Sequence, residues 1–345
     1  MDFTLTTEQK ALRDATRDML GRRAPADRVG RPAFDADLWG ALAEMGLLAL
    51  PWESDPDDPD APGPVEVTIV AQELGRARAV APFAEMVTAG HLLHGDPLLD
   101  AVGSGEAVVV PVLSEPGRAW GSAPTVTAAQ AGEIWTLEGA KGPVSYADGL
   151  THAVVTATSG AFLVESPQVD RSLLRLSGTP ARLLSDDPAQ VSRAVAHGSL
   201  ALCAEAIGAM ETALAMTVDY LKSRKQFGVP LMSFQALTQR AAVMYTEVEL
   251  ARSAVQYAAM VLAEPQEGED PGPTVGRAAV VVGKAGRLVG EEAVQLHGGI
   301  GVTEEYAVGH LLNRLTAIEH TFGDTRHHVG ALAARLGGYD VVDVL

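Results

Sequence analysis

Two short stretches cluster glycines with polar, basic or ring-bearing side chains at close spacing. The first is Ser223-Arg224-Lys225-Gln226-Phe227-Gly228-Val229-Pro230-Leu231, running on through Phe234 and Gln235. It lies between two long apolar-periodic segments, so it predicts a helix–turn–helix corner, with Gly228 and Pro230 breaking the backbone. Arg224 and Lys225 fall in the predicted last turn of the first helix, where cations suit the negative end of the dipole. Ser233 is the predicted N-cap of the second helix. The second stretch, Gln295-Leu296-His297-Gly298-Gly299-Ile300-Gly301, ends another helical run. Its glycines let a ligand approach the backbone and free N–H groups for an anion. It follows a helix rather than a strand, so the dinucleotide fingerprint does not apply. A charged corner and a helix C-cap are the plain alternatives for the two stretches.

Helical periodicity on either side of a β region would position these stretches. Residues 1–105 read as a helical domain. Thr6-Thr7-Glu8-Gln9 forms a predicted capping box, helices are expected near 36–46 and 65–77, and Gly46 suits a C-cap. The proline- and aspartate-rich 51–64 is a loop. Residues 106–190 change period: Val108–Leu113, Thr125–Thr127, Ile134–Leu137, Ala153–Thr156 and Ala161–Val164 predict short strands of a β-barrel or sandwich. No helix-length crossovers separate them, which argues against a parallel sheet. Residues 191–345 form a helical bundle. Apolar stripes run through Leu200, Cys203, Ile207, Met210, Leu214, Val218 and Leu221, through Leu237 to Leu262, and through Val275 to Leu296. Residues 265–273 form a polar loop, and shorter helices are predicted near 304–318 and 324–337. The fold class is mainly α with a small central β-domain.

The formal charge of −18 argues against sequence-independent nucleic-acid binding, which needs Lys and Arg on phosphates, and against an anionic membrane surface. The lone Cys203 excludes an intrachain disulfide and falls on an apolar stripe, so it reads as core. No leader pattern and no uninterrupted apolar run of membrane-spanning length is present. A cytoplasmic protein is expected.

Arg-Lys-Gln-Phe-Gly followed by Phe-Gln, and Gln-Leu-His-Gly-Gly-Ile-Gly followed by Glu304-Glu305-Tyr306, resemble two motifs of the acyl-CoA dehydrogenase family. The helical, β, helical order resembles it too, over essentially the whole chain. The resemblance implies an FAD-dependent α,β-desaturation of an acyl-CoA thioester. It implies that Arg224, Gln226, Phe227, Gln295, Gly298 and Gly299 contact FAD across a subunit interface. An Arg fork suits a pyrophosphate.

The resemblance also implies a carboxylate base, and the chain departs there. Counting on from Arg314, the family's usual glutamate position is Gly323, between Phe322 and Asp324-Thr325. The alternative position, early in the first long helix, is Gly198. Asp324 is a neighbouring carboxylate, also readable as a helix N-cap; Glu319 and His320 are weaker substitutes. Two more segments depart. Ser114-Glu115-Pro116-Gly117 continues as Arg118-Ala119-Trp120-Gly121, and Lys141-Gly142-Pro143-Val144-Ser145-Tyr146 has Pro143 where the family stacks a tryptophan on the flavin. The expectation is therefore a base-lacking subunit with no catalytic residue of its own. A second acyl-CoA dehydrogenase chain would complete an α2β2 assembly and hold most of the acyl-CoA, with a bulky, steroid-type acyl group. A self-sufficient homo-oligomer using Asp324, and a non-enzymatic scaffold or acyl-CoA binder, are the alternatives.

Overall fold

A computed structural model describes residues 4–23, 34–52, 61–132, 134–265 and 270–336. The predicted loops over 51–64 and 265–273, and the end of the predicted 324–337 helix, lie partly outside the described residues.

The chain opens with α1 (Thr7–Arg23), α2 (Ala36–Glu44), α3 (Pro64–Ala77), α4 (Phe83–Leu92) and α5 (Leu98–Gly103). The capping box is formed: Gln9 N–H donates to Thr6 Oγ1 (3.2 Å) and Thr6 N–H to Gln9 Oε1 (3.0 Å). Strands β1 (Val109–Val112), β2 (Thr127–Ala131), β3 (Ile134–Lys141), β4 (His152–Ala157), β5 (Gly160–Glu165), β6 (Val169–Asp170) and β7 (Leu173–Ser185) follow. They form one sheet in the order β1-β4-β5-β7-β3-β2, with β6 on β7. Every pairing is antiparallel except β1 with β4. β7 pairs β3 along its first part and β5 at its end, so this one long strand joins both halves of the sheet. Its alternation is weak, since only Leu174, Leu176 and Ser185 are buried along it, and sequence pattern did not reveal it. The sheet encloses its own apolar cluster, with Val112, Leu137, Val155, Phe162 and Leu174 at its centre.

The bundle comprises α6 (Pro188–Ser223), α7 (Gln235–Ala263), α8 (Gly272–His297), α9 (Ala307–Glu319) and α10 (Thr325–Ala333). Every residue of α6 from Gly198 to Met210 is buried, because α3, α4, α7, α8 and α9 all pack on it. By length and composition α6 is apolar enough to cross a membrane, but that stretch is the centre of the core. Helices before and after the β region share one continuous cluster. Small residues permit this crowding. A Cβ on Gly208 would lie 1.9 Å from the Gln72 carbonyl oxygen, and one on Gly75 1.9 Å from that of Glu205. The two backbones touch, and Thr212 Oγ1 donates to Arg76 O across them (2.8 Å).

The predicted corner between α6 and α7 is instead a β-hairpin. β8 (Lys225–Gln226) pairs with β9 (Val229–Pro230), and Phe227 and Gly228 turn between them at φ +52° and +81°. Two successive positive-φ residues make the turn whose twist suits a hairpin. α6 ends at Ser223, so Arg224 and Lys225 stand beyond the last turn, and Ser233 does not cap α7. It belongs to a 3-10 turn, and Phe234 occupies the N-cap position without a side-chain bond.

Gly208→Ala is expected to push α3 off α6 and lower stability by about 1–3 kcal/mol, the range for overpacked cores. Urea denaturation of the purified chain checks it; an unchanged midpoint would show that the crossing yields.

Candidate functional site

Two regions bear on function, and they are separate. The first is one end of the bundle. Tyr220, in the last turn of α6, lies 4.5 Å (ring centroids) from His297, the last residue of α8, and His297 lies 5.0 Å from Tyr306. These tilted ring contacts hold the end of α6, from which the hairpin leaves, beside the glycine loop. His297 is buried, its Nδ1 2.7 Å from Ala293 O, and burial lowers its pKa, so it is a neutral packing residue. Arg224, Gln226, Phe227, Gln295, Gly298 and Gly299 all face outward at this end. Phe227 is 91% exposed, with only the edge of Phe234 against it at 6.1 Å. Val229, Met232, Ile300 and Val302 are also exposed around it.

The glycine loop does two jobs. Gly298 caps α8 with φ +64°, its N–H donating to Val294 and Gln295 carbonyls. Gly301 is structural, since a Cβ there would sit 2.7 Å from Val294 O. Open space surrounds the Cβ positions of Gly298 and Gly299, so their approachable side faces away from the chain.

The second region is a cleft of about 860 Å³ between the β unit, the starts of α6 and α8, and the length of α10. Its walls are largely apolar, including Leu113, Trp120, Val191, Val195, Val275 and Phe322. None of the six outward residues lines it. At its rim Glu115 is turned inside. Its carboxylate accepts from Thr125 N–H (2.9 Å) and Oγ1 (2.6 Å), Val126 N–H (3.2 Å) and Lys141 Nζ (2.9 Å). Burial alone would raise its pKa, but these bonds outweigh burial and hold it at about 2. Lys141 is fully buried and also donates to Leu113 O and Thr156 Oγ1. This ion pair staples β3 to the loop after β1 and has no open valence for a ligand.

Both expected base positions are packed shut. A Cβ on Gly198 would lie 1.8 Å from Thr88 Oγ1, 2.9 Å from Ala84 O and 3.0 Å from the Phe322 ring. Gly323, at φ +103°, would set a Cβ 2.9 Å from the Trp120 indole and 2.8 Å from His327. Trp120 itself packs on Phe322, centroids 5.9 Å apart. The residue after it, Gly121, is held against His327. Asp324 caps α10: its Oδ1 accepts from His327 N–H at 2.7 Å, and it does not line the cleft. Glu319 accepts weakly from Thr325 N–H (3.4 Å), and His320 is exposed beside it.

Residues 189–337 match the acyl-CoA dehydrogenase C-terminal domain and residues 6–107 the N-terminal domain. The acyl-CoA dehydrogenase IpdE2 of Mycobacterium tuberculosis is 30% identical over 321 residues, covering 88% of this chain and 89% of that protein. The chain belongs to the acyl-CoA dehydrogenase family. FadE28 of the same organism is 28% identical, covering 97% and 99%. Among solved structures, a steroid ACAD variant of Tcur3481–Tcur3483 superposes with a TM-score of 0.87 at 28% identity, covering 97% of this chain and 99% of that one. The ChsE4–ChsE5 complex of Mycobacterium tuberculosis gives 0.84 at 25%, covering 99% and 100%.

Acyl-CoA dehydrogenases use FAD, and the two regions of this member fit it differently. The outward end offers a cation, a bare aromatic and open glycine backbone. Outside the cleft lining, Pro143 and Ser145 are exposed, while Tyr146, at φ +56°, is half-buried beside Arg314. Cys203 is buried, which pushes its thiol up to about 12, so it is inert. Sequence reading overlooked the interior partners of Tyr146, namely Glu85, Glu205 and Arg314. They lie on three helices and share no local spacing.

Asp324→Ala is expected to lose about 1 kcal/mol of stability as a cap deletion without lowering turnover of an active complex containing this chain. Thermal melts and an acyl-CoA oxidation assay separate the two; turnover falling a thousandfold would make Asp324 the base. Gly323→Glu is expected to lower the melting temperature and add no activity. Combining it with Trp120→Gly should recover part of the melting temperature, because the indole is what the new side chain meets.

Proposed function

We propose that this chain is the base-lacking half of a heteromeric, FAD-dependent acyl-CoA dehydrogenase. It would pair with a second, base-bearing chain in an α2β2 assembly. The observation that carries the reading is the packing at Gly198 and Gly323: each lacks a carboxylate and leaves no room for one. A chain that had only lost its base would keep the space for it.

Two features support a role beside a partner. The residues similar to the family's second flavin contacts face outward at one end of the bundle and away from the chain's own cleft. Relatives include structures whose names join two chains, ChsE4–ChsE5 and Tcur3481–Tcur3483. When bound, FAD supplies the hydride acceptor for α,β-desaturation. In this reading Arg224 supplies its fork to the diphosphate, Phe227 a face of apolar surface, and Gln226 and Gln295 polar contacts. Gly298 and Gly299 leave the backbone open to the cofactor. The partner supplies the base and most of the acyl-CoA site. A bulky acyl group of steroid type suits the steroid ACAD relative. The composition suits a cytoplasmic assembly.

Co-expression with a base-bearing family member, followed by flavin stoichiometry, tests the proposal. The chain alone is expected to be colourless and the complex yellow and reducible by acyl-CoA. Flavin at one per chain in the isolated protein, bleached by acyl-CoA, would favour the homo-oligomer; no flavin in any complex would favour a scaffold. Arg224→Ala should weaken FAD in the complex by tenfold or more, the loss of one charge-assisted contact worth about 1.5–3 kcal/mol. Unchanged flavin content would remove Arg224 from the site.

A further inference from the structure

The junction of the N-terminal helices, the β unit and the bundle contains four ionisable groups from four segments. Glu85 comes from α4, Tyr146 from the turn after β3, Glu205 from α6 and Arg314 from α9. Arg314 donates to both oxygens of Glu205, at 2.6 and 2.7 Å, and lies beside the Tyr146 hydroxyl. Burial disfavours the Arg314 charge, but Glu205 outweighs it and raises its pKa well above the ordinary value. That pair is electrically complete. Glu85 is 4% exposed, and its Oε2 has no hydrogen-bond partner among the described residues. As a carboxylate it would place a second buried negative charge beside a pair already balanced, at a burial cost that outweighs the pull of Arg314. An unpaired buried charge is among the least stable arrangements a protein can hold. As a neutral acid it fits.

We propose that Glu85 is a proton-held latch: protonated, it seats α4 and the Tyr146 turn on the Glu205–Arg314 pair, and ionised, it loosens that junction. The other surfaces packed on α4 do not compete. β1 and the 3-10 turn Leu50–Trp52 bring no titratable side chain. Farther along α4, His91 stacks on His197 of α6 at 3.6 Å. Burial, reinforced by neighbouring histidines, lowers them to about 4 and about 3, so both are neutral above pH 5.

The geometry has a pH signature. Burial raises Glu85 to about 7, with Arg314 opposing and Glu205 assisting. The folded value lies above the unfolded one. The native state therefore holds a proton that the unfolded state has released. Stability from this group is full below about pH 4.5, falls as pH rises to about 7, and then levels off. The turn that loosens carries the segment similar to the family's flavin-contacting one, so the latch would link proton concentration to the order of that segment. It stands independently of the half-site reading.

Equilibrium unfolding of the full chain and of Glu85→Gln at pH 5 and pH 8 tests it. Between these pH values the unfolding constant of the wild type should rise on the order of a hundredfold more than that of the variant. Amide exchange at 144–149, corrected for intrinsic rate, should accelerate in the wild type alone. Equal pH dependence in the two proteins overturns the proposal. If Glu85→Gln does not fold, infrared titration of the wild-type protonated carboxyl band decides: a buried carboxyl titrating near 7 supports the latch, and all carboxyls titrating near 4.5 overturn it.

Discussion

Close backbone contact around α6 is the constraint on which the rest depends. Its middle is buried on all sides, and five helices must reach it. The closest approaches, those of α3 and α4, fall where side chains are absent. Gly208 admits α3, Gly75 admits α6 from the other side, and Gly198 admits α4 and Phe322. Alanine-rich sequence between them keeps the helix thin without the conformational freedom of further glycines. The same contacts merge the helices before and after the β unit into one core.

That constraint gives Gly198 a double meaning. As a motif position it is where the family resemblance places an alternative base. As a packing position it is the place where Thr88 and Ala84 of α4 meet α6. Gly323 has the same character, with Trp120 and His327 in the space a side chain would need. The Trp120 segment departs from the family pattern in sequence, and the structure gives the physical consequence: its indole fills the space beside Gly323. Trp120, Gly198, Phe322 and Gly323 thus form one contiguous packing unit, and changing one without its neighbours strains the others.

Much of this was legible in sequence because it is local. The capping box at Thr6, the apolar stripes of α7 and α8, the Asp324 cap and the switch from strand to helical period each depend on residues a few positions apart. The hairpin at Lys225–Pro230 was missed because long helices on either side made a simple corner the economical reading, and its strands are two residues each. Ser233 was misread for the same reason, since a cap is only a cap if the helix starts beside it. β7 was missed because most of its residues are partly exposed on both faces. Glu85, Tyr146, Glu205 and Arg314 were invisible because their meeting is purely tertiary. A buried glutamate in an apolar helix was the one available signal, and spacing alone does not separate it from a solvated one.

Three aromatic residues sit in left-handed backbone, where non-glycine residues are uncommon and bulky ones strained. They are Tyr146, Phe227 and Phe322, at φ +56°, +52° and +59°, and each lies in a segment similar to a family motif. Their surroundings differ. Phe322 is buried against Trp120 and the Gly198 backbone, and burial of a whole ring offsets a local penalty of about 1–3 kcal/mol. Tyr146 is anchored by Arg314. Phe227 has only an edge contact with Phe234 and is otherwise in solvent. Hairpin geometry explains its positive φ but not the choice of phenylalanine, since asparagine or glycine suits that turn better. Phe322 is explained by this chain's own core, and Tyr146 by the charged side chains beside it. The outward one is left with an exposed ring and an unfavourable backbone, an arrangement that makes physical sense when the ring is covered by something outside the chain.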